Sequence, residues 1–167
     1  MKRVLSIEEK EEFRDIFQQA YDLQHGSYRA SAVAKNTVVV NTINLYDDSK
    51  KVNFAIYMLD INFRALDQYP MYYSLLDVIF KKKLKMTEDD IMNLCDRYET
   101  WFDMFDAVET KKFVRQILKN VSANGSDELK KRLTDFRDNM QNAQINFAPQ
   151  RASNREATIE LLTEYLN

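Results

Sequence analysis

Glycine and proline are nearly missing from this sequence, with two of each among 167 residues. Sheet proteins place these residues in the turns between strands, so their scarcity argues against a sandwich or barrel of many short strands and for long elements with few breaks. Gly26 and Gly125 lie far apart in the sequence. No glycine-rich phosphate loop can be built from them, which argues against nucleotide hydrolysis of the usual types. A single cysteine, Cys95, allows no internal disulfide and fits a reducing, cytoplasmic setting. Together with the single histidine, His25, it leaves too few soft or nitrogen ligands for a zinc site of four side chains. No apolar run approaches the roughly 20 residues of a membrane span. Glu8, Glu9, Glu11 and Glu12 stand where a signal peptide would need an apolar stretch. Neither sign of charge dominates: 24 basic and 26 acidic residues leave a net charge of −2, so no global field draws the chain to nucleic acid.

What is abundant is charge and apolar surface in alternation. The chain is 45% hydrophobic and 30% charged, and the apolar residues recur near the 3.6-residue helical period. We therefore expect a mainly α protein of seven or eight short helices, as a bundle or a short helical-repeat array, forming one domain over residues 1–167. A chain of this size buries roughly 70% of its unfolded surface and needs no staple. Ser6 with Glu9 forms a capping box ahead of a stripe at Phe13, Ile16, Phe17, Ala20, Tyr21 and Leu23, which stops near His25 and Gly26.

Residues 31–46 are open between helix and strand, because Thr37 through Ile43 is dense in β-branched side chains. A β-hairpin at about 37–58, turning through Asp47–Lys51, is the alternative to a helix over 50–68 capped by Asp48 or Ser49. The helical interval of Val52, Ile56, Leu59, Phe63 and Leu66 favours the helix. Pro70 opens a further helix that ends in Lys81–Lys83. Thr87 to Asp90 is a start signal for another, with Ile91, Leu94, Cys95, Tyr98, Trp101, Phe102 and Phe105 inward. Helices are also expected from Glu109 to Asn120, with Phe113, Val114, Ile117, Leu118 and Val121 inward, and from Ser126, carrying Leu129, Leu133, Phe136 and Met140. Residues 141–152 read as an exposed connection, and Ser153 with Glu156 as the capping box of a short terminal helix.

A weak internal repeat links two stretches. One common offset aligns Ile56 with Leu94, Phe63 with Trp101, Leu66 with Met104, Leu75 with Phe113, Leu76 with Val114 and Ile79 with Ile117, although Leu59 meets Arg97. In outline residues 51–124 resemble HEAT-like helix pairs, whose repeating unit is two amphipathic helices in roughly 40 residues. That resemblance implies stacked antiparallel pairs.

No constellation carries a named chemistry, so no catalytic residue, cofactor or metal site is expected and an enzyme is disfavoured. His25 beside a helix-ending glycine suits a dipole-capping or surface role. Cys95 shares a face with Leu94, Tyr98 and Phe102, a poor setting for a thiolate. Binding is the expected function, with another protein as partner and no membrane. Tyr69, Tyr72 and Tyr73 around Pro70 form one candidate surface. Asp96, Glu99, Trp101, Asp103 and Phe105 form another, acidic and aromatic, of adaptor or inhibitor type. The competing reading is nucleic-acid binding by Lys81, Lys82, Lys83 and Lys85 with Lys111, Lys112, Arg115 and Lys119.

Overall fold

The structure, a computed structural model, describes residues 2–22, 37, 40–60, 83–101, 111, 114–115, 117–121, 125–142 and 149–167. These are mainly helical, and no strand occurs among them. Five helices have defined bounds: α1 (Ile7–Asp22), α2 (Asp48–Asp60), α3 (Glu88–Trp101), α4 (Asp127–Asn142) and α5 (Pro149–Leu166). Residues 40–44 are helical as well, as are 111, 114–115 and 117–118. Backbone contacts divide the chain into a first unit, Lys2–Lys81, and a second, Lys82–Asn167.

Local chemistry sets the helix starts. In α1 the Ser6 hydroxyl accepts from the Glu9 amide at 3.1 Å, and Glu9 Oε2 accepts from the Ser6 amide at 3.2 Å. This is the expected capping box, satisfying two amides that have no partner within the helix. Thr87 and Asp90 repeat it at α3, with distances of 3.1 and 2.8 Å. The Ser126 hydroxyl caps α4 by accepting from the Leu129 amide at 3.1 Å.

Four expectations need correction. The hairpin at about 37–58 does not form: residues 40–44 and Asp48–Asp60 are helical, and the turn between them is too short to leave strands on either side. Ile43 turns wholly inward from its short helical segment, so packing overrides the β preference of the surrounding Thr and Val residues. The cap of α2 is Asp47, not Asp48 or Ser49; its Oδ1 accepts from the Lys50 amide at 2.8 Å. The connection after α4 is shorter than 141–152, because Gln141 and Asn142 end α4 and α5 begins at Pro149. Proline suits a first helical position, where its missing N–H needs no partner. Ser153 and Glu156 consequently lie inside α5 and are not its capping box.

The expected helix at Pro70 lies outside the described residues, as does the expected end of the first helix near His25 and Gly26. So does much of the stretch with the HEAT-like outline, including Phe63, Leu66, Leu75, Leu76 and Ile79.

In the first unit α1 packs on α2. Phe13 is fully buried at the join, edge-on to Phe54 at 5.1 Å and tilted against Tyr57 at 5.6 Å and Tyr46 at 6.1 Å. Val52, Phe54, Ala55, Ile56, Met58 and Leu59 are all buried, so α2 is enclosed on more than one side. In the second unit α4 packs most extensively on α5 and also on α3. Leu129, Leu133, Phe136 and Met140 form its buried stripe, as the sequence predicts. Leu162 is fully buried and Leu161 nearly so, which docks the terminal helix on the body.

Truncating Phe136→Ala removes a buried ring that stacks edge-on to Tyr98 at 5.7 Å. The expected loss is about 3–5 kcal/mol, read from urea unfolding.

Candidate functional site

Two acids of the flank expected on α3, Asp96 and Glu99, are described, and both are engaged within the fold. Asp96 and Glu99, three residues apart, both reach Arg132 on α4. Arg132 Nη2 and Nε donate to Asp96 Oδ1 at 2.6 and 3.0 Å, and Nη1 lies 2.8 Å from Glu99 Oε1. Asn139 adds a contact to Glu99 Oε2 at 3.4 Å. Burial of Arg132 works against its charge, but the hydrogen bonds it donates to Glu99 and Asp96 outweigh this and hold its pKa above the ordinary guanidinium value. Its guanidinium also sits 6.0 Å from the Phe136 ring centroid. The cluster joins two helices and neutralises a charged face before it is half-buried.

Beside it Cys95 is fully buried. Desolvation pushes its thiol up to about 12, so the thiolate that nucleophilic chemistry requires is absent near neutral pH. On the same helix Asp90, Asn93 and Arg97 are buried at successive intervals of three and four. Arg97 Nη1 donates to Asn93 Oδ1 at 2.6 Å, and Asn93 Nδ2 donates to the Asp89 carbonyl at 2.9 Å. Tyr98 shares a buried hydroxyl contact with Thr158 of α5 at 3.2 Å. Glu88, at the start of α3, accepts from both the amide and the hydroxyl of Ser126, the residue that caps α4. These hydrogen bonds, the side-chain one first, hold the Glu88 carboxyl below its usual range.

Of the remaining sequence candidates, Tyr69, Tyr72, Tyr73, Asp103 and Phe105 lie outside the described residues, as do Lys81, Lys82, Lys112 and His25. The backbone of Trp101 closes α3. Lys83 and Lys85 are exposed ahead of α3, Arg115 and Lys119 are exposed in the following helical segment, and Lys111 is half-buried. Among the described residues no group of carboxylate, histidine and cysteine side chains is placed to hold a metal.

Sequence reasoning missed a groove in the first unit. Its lining is Glu8, Glu11, Glu12, Asp15 and Ile16 of α1 with Thr42 and Tyr46, around an open volume of about 510 Å³. At 100° per residue the four acids share one face of α1, a signal that was present in their spacing. The opposing wall was not legible, because it depends on how residues 40–46 pack. Glu12 anchors that wall: Lys50 Nζ lies 2.6 Å from its Oε1, and the Tyr46 hydroxyl donates to the same oxygen at 3.1 Å. The Lys50 hydrogen bond leads in holding the Glu12 carboxyl below its usual value, and burial, followed by Glu12, raises the Tyr46 phenol. Lys50 also sits 4.4 Å from the Tyr46 ring centroid. Close by in sequence, Val4, Ile7 and Leu45 are 78%, 71% and 87% exposed.

Comparisons with protein-family models, with curated proteins and with solved structures gave no match.

Thiol reagents should fail to label native Cys95 at pH 8 and should label it fully in denaturant. Because its folded pKa is raised, the stability it contributes is complete below the unfolded thiol value of about 8.5. It is lost as pH climbs towards about 12. Cys95→Ala should flatten that part of the alkaline limb in a stability profile. Arg132→Met leaves Glu99 half-buried without its cation, and an expected loss of about 2 kcal/mol, discounted for the solvent reaching Asp96, is measurable in urea.

Proposed function

We propose that this protein works by binding another protein. The supporting observation is the exposure of three large aliphatic side chains, Val4, Ile7 and Leu45, in a unit where Leu5, Ile16, Ile43, Val52, Ile56 and Leu59 are buried. Exposed large apolar side chains are candidates for an interaction surface where they gather into one patch. The aromatic-rich composition, with nine Tyr, ten Phe and one Trp, fits the same role, since such side chains dominate interface energetics. The engaged state of the α3 acids shifts the proposed contact from that helix towards the first unit. An adaptor or inhibitor acting by surface contact requires no catalytic group, in keeping with a thiol that is buried and protonated.

Affinity capture from the native host, compared between the wild type and an Ile7→Gln/Leu45→Ser double variant, tests this. The variant should fold normally, because both side chains are exposed, and should lose a partner that the wild type holds in fixed stoichiometry. Equal capture by both proteins would overturn the assignment. Capture of nucleic acid alone, with steep salt dependence, would replace it with the reading based on Lys83, Lys85, Lys111, Arg115 and Lys119.

A further inference from the structure

We infer that the groove between α1 and residues 40–46 receives a basic amphipathic helix of the partner protein, an inference that rests on the protein-binding function proposed above. The apolar part of the lining, Ile16 and the Tyr46 ring, is held in place. Ile16 is buried, and the Tyr46 ring is fixed by Phe13 at 6.1 Å on one side and by its hydroxyl bond to Glu12 on the other. A fixed lining lowers the ordering cost of docking.

The walls give the occupant its charge. Glu12 is already engaged by Lys50, which leaves Glu8, Glu11 and Asp15, all exposed. Among the described residues Asp15 has a neighbouring cation in Arg14 at 3.8 Å, with both side chains open to water. From Glu8 to Asp15 is two turns, roughly 10 Å of helix. A helix lying alongside would meet the three carboxylates with Lys or Arg at intervals of three and four. Leu45, exposed and next in sequence to the lining residue Tyr46, calls for an apolar side chain within the same segment. Nucleic acid would be repelled by these carboxylates, and a purely apolar ligand would strip them of water without compensation.

The test uses the full chain and a synthetic helical peptide of leucine and lysine in amphipathic order, with fluorescence anisotropy as the readout. The peptide should bind, and binding should weaken with salt. Affinity should fall roughly tenfold in a Glu8→Gln/Glu11→Gln/Asp15→Asn variant, as expected for three exposed ion pairs, and should fall also in Leu45→Ser. Circular dichroism on each variant verifies that it is folded. Unchanged affinity in the triple variant overturns the inference, as does equal binding of an all-lysine peptide of the same charge. Self-association of the wild type that the triple variant abolishes would make a second copy the occupant and overturn it too. If a partner captured by the wild type survives the triple substitution but not the Ile7/Leu45 pair, the groove assignment fails while the protein-binding reading stands. If no partner is captured and no peptide binds, both fail.

Discussion

A helix that carries acids on one flank can be drawn into a core only when a neighbour supplies matching cations. In the second unit that requirement falls on Arg132, which reaches from α4 to both Asp96 and Glu99 of α3. The same guanidinium lies near the face of Phe136, which in turn stacks edge-on to Tyr98. Charge neutralisation and apolar packing thus occur at one join between two helices. Tyr98 extends the join to α5 through Thr158, so the three helices share a continuous buried contact. At the other end, Glu88 of α3 holds the residue that caps α4. One helix start therefore depends on the placement of another.

The first unit uses a simpler device. Phe13 fills the space between α1, α2 and Tyr46 with tilted and edge-on ring contacts, the geometry favoured by the aromatic quadrupole. Glu12, one residue earlier, faces outward and gathers Lys50 and Tyr46 at the surface. Adjacent positions on one helix thereby serve two purposes: the first holds the wall of a groove and the second fixes the core beneath it. Glu8, Glu11 and Asp15 remain on the solvent side of that wall. This division explains why the acids of α1 and those of α3 differ in what they can do. The α3 acids are consumed within the fold, whereas three on α1 face an open groove.

Much of the helical organisation was legible. The capping box at Ser6, the start signals at Thr87 and Ser126 and the stripe from Leu129 to Met140 follow from interactions within a few residues, and each recurs in the structure. Local signals misled where packing or a competing start overruled them. Ser153 and Glu156 have the spacing of a capping box, yet Pro149 starts the helix earlier. The β-branched residues near Thr37 suggested a strand, yet Ile43 is buried from a helical segment. Of the site, the shared face of Asp96 and Glu99 was readable from their interval, but their use as ligands for Arg132 was not.

The amino-acid order by itself determined that the elements are helices and where several of them begin, because helix periodicity and N-terminal capping involve residues three or four apart. It also determined that a single cysteine allows no internal disulfide. Tertiary structure alone decided which acids are neutralised and which line a groove. Arg132 and Asp96 are separated by 36 residues, and Tyr46 and Glu12 by 34. Whether such pairs meet depends on how helices are set against one another, and that is governed by the packing of side chains distant in the chain.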